Sequence, residues 1–485
     1  MTKKRKADLG ELDLSSLATQ MMESNEAPGV YFAKEEEIDP ATRSAHVLNE
    51  PKQINIKIVS IASDNSFDAK FKLQALEVLY NNSKTNFDCR NLATLCHRVA
   101  KLFQKNFSAT ANDFLRSLVS DATKKLTQFN SQDLSNIAWA FAKLNIKDTK
   151  FFSALLKEID GKLTQFNSQE LSNTAWAFAK QNIKNDKFFS ALSKEICGKL
   201  PQANTQGLSN TAWAFAKLNI KDDELFSTLS KAIIGKLEQF NSQELSNTAW
   251  AFAKVNIKDD ELFSALSKEV SGKFSQFNSQ ELSNTTWAFA VLAIENSLEF
   301  YHLLETCILS TESFQFSDEQ LLQLYHASLL MPFDLHSEIN ERVKVMLAVL
   351  RKQQCKVSSW EKEVGDCLIN LGYKPKSQVF VEGLKLDFLI EEHGMCIAVE
   401  CDGARYHHVG GKEDSRPVGS QVLKDRLLQR LGFRVVHIVY ERWRSSNNKQ
   451  KFLKDLLKSP DGQKSQSRYA KLAALFAWIL KRSSN

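Results

Sequence analysis

No two cysteines of this chain stand in a CxxC pair. The eight, Cys89, Cys96, Cys197, Cys307, Cys355, Cys367, Cys396 and Cys401, are scattered. Neither a zinc ribbon nor a disulfide framework is expected, and a reducing compartment fits. No stretch approaches the roughly 18 consecutive apolar residues of a membrane helix. The N-terminus lacks an apolar run of signal-peptide type, and Asp8, Glu11 and Asp13 argue against an acid-poor presequence. Charge is only weakly one-sided. A net +6 permits a nucleic-acid partner without requiring one. The hydrophobic fraction, 43%, is ordinary for a folded chain.

What the chain has is repetition. Leu134-Ser-Asn, Leu171-Ser-Asn, Leu208-Ser-Asn, Leu245-Ser-Asn and Leu282-Ser-Asn recur every 37 residues, each followed by a tryptophan: Trp139, Trp176, Trp213, Trp250 and Trp287. A period of this size signals a solenoid. Each unit reads as two helices. Asn130 with Asp133, and Asn167 with Glu170, have the spacing of a capping box. Helix A then runs to about Asn145, and a short Lys-Asp turn follows. Helix B carries Phe152, Leu155 and Ile159 and ends near Gly161 as a C-cap. One such pair cannot bury its apolar face alone, and stacking neighbours does so. Residues 126–350 are therefore read as the array and 51–125 as degenerate, capping members, with Leu92, Leu95, Val99 and Leu102 on one helix and Phe114, Leu115 and Leu118 on the next. A divergent unit is expected at Leu321 to Leu330. Residues 1–50 read as a disordered tail with a basic run, Lys3 to Lys6, and an acidic run, Glu35 to Glu37.

Unrolling helix A at about 100° per residue groups Leu134, Ala138, Phe141 and Ala142 as the core face. Gln132, Asn136, Trp139 and Lys143 fall together on the opposite side. The following units repeat that set as Gln169, Asn173, Trp176, Lys180, then Gln206, Asn210, Trp213, Lys217, then Gln243, Asn247, Trp250, Lys254. Trp offers a stacking plane, Asn and Gln offer hydrogen bonds to base edges, and Lys contacts phosphate, as single-stranded RNA requires. Two plainer roles compete with this. The Trp residues could pack repeat against repeat, and the Asn residues could bridge neighbouring backbones. The last full unit keeps Gln280, Asn284 and Trp287 but has Val291 in place of Lys, so the charge ladder stops there. The unit LSNTAWAFAKLNI resembles the octotricopeptide repeat, a helical-hairpin solenoid family. The resemblance spans about residues 88–333, and it implies an RNA-binding superhelix lined by helix A. Near-identity of the units implies tolerant or monotonous recognition.

After about residue 355 the pattern changes. A helix from Ser358 to Leu371 precedes strand-like runs Ser377–Glu382, Lys385–Ile390 and Met395–Asp402. A charged loop from His407 to Gly419, a helix from Val422 to Leu431 and a strand Arg434–Tyr440 complete a small α/β domain, 355–445. A basic helical extension, 446–485, ends the chain. In strand Met395–Asp402, period-two alternation puts Glu400 and Asp402 on one face, and Asp387 sits in the neighbouring apolar run. Such carboxylates are costly there without a purpose. Clustered, they can hold Mg²⁺ for phosphodiester cleavage, with Lys424 and Arg426 supplying positive charge.

Asp387, Glu400-x-Asp402-Gly403 and the ending Gly432-Phe433-Arg-Val-Val resemble the RAP domain over about 358–445. This domain is similar in fold to restriction-endonuclease-like nucleases of the PD-(D/E)xK class. The resemblance implies Asp387, Glu400, Asp402 and Lys424 as candidate catalytic residues, with Asp387 and Glu400 as candidate metal ligands. Two departures stand out. Asp402 occupies the place of the nuclease Lys, so Lys424 would have to replace it. The His after Asp-Gly is also displaced, to His407. Glu363 stands where nuclease relatives carry an acid.

The expectation is an α-solenoid of two-helix repeats followed by a restriction-endonuclease-like α/β domain. The chain is expected to be a monomer that grips single-stranded RNA, away from membranes, in RNA processing, stability or translation. A metal-dependent endoribonuclease and a protein-binding scaffold are the alternatives. Mitochondrion, cytoplasm, nucleus (through Lys3 to Lys6) and a secreted bacterial effector all remain open.

Overall fold

The computed structural model describes residues 48–102, 109–295, 297–309, 315–352, 357–392, 394–403, 408–409 and 416–458. The Lys3 to Lys6 run, His407 and residues 459–485 of the basic extension lie outside them. The architecture is a helical array followed by a small α/β domain. Two compact units divide it. The first holds the described residues up to Phe240 except Asn219–Lys221, and the second holds those three and Asn241 onward.

The first unit opens with α1 (Pro51–Ser63), α2 (Ala69–Ser83), α3 (Cys89–Leu102) and α4 (Ala109–Lys125). Three full repeats follow: α5 (Ser131–Lys143) with α6 (Thr149–Asp160), α7 (Ser168–Lys180) with α8 (Asp186–Lys199), and α9 (Thr205–Lys217) with α10 (Asp223–Ile234). The A helices α3, α5, α7 and α9 stack on one another. Leu134, Ala138, Phe141 and Ala142 are fully buried, as their helical spacing requires. Asn130 and Asn167 close capping boxes with Asp133 and Glu170. Helix A stops at Lys143, two residues short of the expected end, because Asn145 adopts the left-handed conformation (φ 53°). Asn tolerates it through local hydrogen bonding, and Asn182 and Asn219 repeat it. Asp148 then caps helix B by accepting from Phe151 N. Gly161 is the C-cap of helix B, as expected, in a right-handed conformation, and the chain runs on into a 3-10 turn, Leu163–Gln165, that buries Leu163.

The second unit holds the last repeats: α11 (Ser242–Lys254), α12 (Asp260–Gly272), α13 (Ser279–Leu292), α14 (Leu298–Leu309), α15 (Asp318–Ser328) and α16 (Ser337–Leu350). The α/β domain follows: α17 (Ser359–Asn370), β1 (Lys376–Val381), β2 (Leu384–Glu392), β3 (Met395–Asp402), the short strands β4 (His408–Val409) and β5 (Arg416–Pro417), α18 (Gly419–Arg430), β6 (Phe433–Val439), α19 (Tyr440–Ser445) and α20 (Lys449–Lys458). Its main sheet runs β1-β2-β3-β6, antiparallel except for the parallel β3–β6 pair. Alternation sends Phe388, Ile390, Ile397, Val399, Cys401, Val436 and Ile438 into one core with Val364 and Leu368 of α17 and Leu453 and Leu457 of α20. α18 packs against β6, and its Lys424 reaches Glu400 on the face opposite that core. Among the described residues no helix is long and apolar enough to cross a membrane.

Candidate nucleic-acid interface and carboxylate site

In the first unit, Gln132, Gln169 and Gln206 are exposed, and Asn136, Asn173 and Asn210 half-buried. Lys143 is exposed, while Lys180 and Lys217 are half-buried. The tryptophans tile: Trp139 and Trp176 lie 6.3 Å apart at 32°, and Trp176 and Trp213 lie 6.3 Å apart at 31°. His97 of α3 extends the row, 4.9 Å from Trp139. Each ring thus covers its neighbour, so the packing role of Trp is met directly. Lys143 Nζ sits 5.1 Å from the centre of the Trp139 ring, and Lys217 Nζ 5.9 Å from that of Trp213. A cation–π contact one turn back holds each ammonium over this face.

The ties between repeats come from residues that sequence patterning did not single out. Ser135 Oγ donates to Glu170 O of the next helix A, 3.2 Å. Lys162 Nζ donates to Thr127 O and Phe129 O of the preceding turn, 3.2 and 2.9 Å. Lys199 repeats this to Thr164 O and Phe166 O, and Lys236 to Pro201 O and Ala203 O. The Asn row takes no part in these bridges. The recurring Gly-Lys or Cys-Gly-Lys at the end of helix B was the available signal.

In the second unit several of the corresponding positions are closed. Trp250 and Trp287 are buried, as Trp213 of the first unit already is, Lys254 is 2% exposed, and Gln280 and Asn284 are buried. Gln243 stays exposed and Asn247 half-buried. Trp250 and Lys254 therefore present nothing to a strand in this arrangement. Val291, where the Lys row breaks, is also buried.

The carboxylates are set by strand register. Phe388 pairs with Val399, so Asp387 and Glu400 are cross-strand neighbours. Asp387 Oδ2 accepts from Cys401 N, 2.8 Å. Lys424 of α18 meets Glu400 Oε2 at 2.5 Å, both side chains being nearly buried. Burial pushes the Glu400 carboxyl up to about 7, against the pull of Lys424 and with the push of Asp387. Burial works against the Lys424 charge, but Glu400 and Asp387 outweigh it and keep the ammonium protonated. Asp402, on the same face, turns away to His437 Nδ1 (2.9 Å), whose Nε2 meets Asp425 of α18 at 3.1 Å. Both ring nitrogens face carboxylates. Burial alone would lower the His437 pKa, but these two partners raise it to about 10. The structure thus brings Asp387, Glu400 and Lys424 together and places Asp402 in a separate Asp–His–Asp chain that sequence spacing did not reveal. Glu363 lies elsewhere, with Lys449 and Trp443 Nε1.

Glu400 Oε1 is buried with no hydrogen-bond partner. Glu400 Oε1 and Asp387 are the carboxylate donors that a divalent cation would meet at this place. Among the described residues, no group of three His, Cys, Asp or Glu side chains converges as a ready metal cage.

Residues 37–351 match the model of the RNA-editing substrate-binding complex 6 protein family. The chain belongs to that family. The repeats from α3 to α16, with their tiled tryptophans and lysine-bridged turns, fall inside the match. Residues 360–459 match a restriction-endonuclease-like model, REase_MTES_1575, which spans the sheet, α18 and the Glu400–Lys424 pair. No curated protein matches the chain.

Proposed function

We infer that the chain binds single-stranded RNA on the helix A face of its first repeats. The observation that carries this is the repeated Gln/Asn/Lys set at Gln132, Asn136, Lys143 and its two successors, which lines one side of helix A with each Gln exposed and the Asn and Lys side chains exposed or half-buried. Family membership, in a group named for an RNA-editing substrate-binding complex, supports the same reading. So does the octotricopeptide-like form of the repeat.

Lys143, Lys180 and Lys217 supply phosphate contacts, and the Asn and Gln amides meet base edges. Because the rings cover one another, the tryptophans serve as the floor and as cation–π seats, not as open base platforms. Identical amides in every repeat suit a tolerant or homopolymeric strand. The work such binding fits is RNA processing, stability or translation. Changing Lys143, Lys180 and Lys217 together to Ala should weaken binding of single-stranded RNA strongly. Unchanged affinity overturns the reading.

The orphaned Glu400 Oε1 favours a second reading. Asp387 and Glu400 hold Mg²⁺ and Lys424 stabilises developing charge, as in a RAP-like nuclease domain. This predicts Mg²⁺- or Mn²⁺-dependent RNA cleavage abolished by Glu400→Ala or Asp387→Ala. Intact RNA after prolonged incubation with either metal contradicts it.

A further inference from the structure

The Lys ladder ends where α18 of the α/β domain lies across the array. All the contacts that follow are inside the second unit. α18 packs on α11 and α13. A Cβ at Gly419 would collide with Ala253 O, at the C-terminal end of α11, and would press Val291 of α13. Only glycine lets the helix start come so near. Seven residues on, on the same helix face, Arg426 donates to Ala290 O and Val291 O, the last carbonyls of α13. A cation there satisfies helix-end carbonyls and complements the macrodipole. The substitution of Val291 for Lys thus has a structural cause: that position meets a helix.

Two observations suggest this seat was shaped for another occupant as well. Lys254, equivalent to the exposed Lys143, is 2% exposed beside the contact. Trp250 Nε1 and Asn284 Oδ1 are buried with no hydrogen-bond partner. A buried polar atom left unsatisfied is costly, and these two lie on the helices against which α18 packs. The domain also has a second hold. Tyr325 Oη donates to Glu382 Oε2 (2.5 Å), and His326 Nε2 donates to Glu382 O (2.7 Å), at the β1–β2 turn. That anchor lies on α15 and not on α11 or α13, so it can keep the domain attached when α18 lifts.

We propose that α18 is a displaceable cover on the helix A faces of the fourth and fifth repeats, an autoinhibitory contact that closes them until a single strand of RNA takes its place. This rests on the RNA reading above. The same helix carries Lys424 and Asp425, so lifting it moves with the carboxylate site.

The test uses the full chain, single-stranded RNA of graded length and two variants, Gly419→Leu and Arg426→Ala. The second keeps the start of α18 intact should the first disturb folding. Labelling of Lys254 by an amine-reactive reagent is followed by peptide mapping. Lys254 should resist labelling in the free wild-type chain, react in both variants, and be protected again in them by long RNA. Long RNA should bind the variants more tightly, with a log–log salt slope steeper by about 0.7, the value of one extra phosphate contact. Lys254 that stays resistant in both variants, or reacts but gains no protection from RNA, overturns the proposal. If the wild-type chain binds no single-stranded RNA at all, the functional reading fails first. If it binds and Lys254 behaves otherwise, only the cover fails.

Discussion

Gly207 breaks a rule that its neighbours keep. Helices α5, α7, α11 and α13 start with capping boxes closed by Asp133, Glu170, Glu244 and Glu281. In α9 the third position is Gly207, so Asn204 accepts from its N–H but nothing returns the bond. Gly207→Glu should restore the box and remove a helical glycine, raising stability by about 1 kcal/mol. The new Cβ would press Asn204 Oδ1 and Ser172 Oγ, side-chain atoms that must give by a few tenths of an ångström. A midpoint in urea unchanged or lower than wild type contradicts this. His437 shows the opposite case, a cation held by two acids. Its raised pKa means a stabilising contribution complete below about 6.5 and lost as pH rises through about 10. His437→Ala leaves Asp402 buried without its cation and should cost about 3–5 kcal/mol of domain stability. Pulse proteolysis in urea, mapped on peptides from 359–458, should show that deficit near neutral pH and a shrinking gap toward pH 10. An equal gap at all pH values would sink it. Asp402 was legible as a special acid. His437 was not, because a histidine in an apolar strand gives no sign of which acids it will face.

At the scale of elements, the period of 37 made helix A and its core face legible. Leu134, Ala138, Phe141 and Ala142 had to cluster, and they do. The inter-repeat lysines were not legible. Lys162, Lys199 and Lys236 look in sequence like solvated charges at a helix end, yet each reaches two carbonyls of the previous repeat. In a solenoid such nearest-neighbour ties set cooperativity. Lys199→Ala should cost about 2–3 kcal/mol, the scale of charge-assisted hydrogen bonds. Lys147→Ala, on the exposed turn between helices, should stay within about 0.5 kcal/mol of wild type. Equal urea midpoints for the two variants would show that the bridges carry no stability.

At the scale of the molecule, the order of array then α/β domain could be read from the change in periodicity near residue 355. What the sequence could not show is α18 against α13, because Arg426 and Ala290 are far apart in the chain and neither pattern names the other. That contact explains Val291 better than any local rule, and it falls on Ala253, next to the buried Lys254. It also confines the open Lys row of the array to Lys143, Lys180 and Lys217. The proposed RNA binding therefore turns on those three. The direct measurement is the affinity of the full chain for single-stranded RNA across a salt series, for wild type and for the Lys143→Ala, Lys180→Ala, Lys217→Ala variant. Each phosphate contact contributes about 0.7 to the log–log slope, so the variant should bind more weakly with a slope shallower by about 2. Identical slopes and affinities would contradict the account.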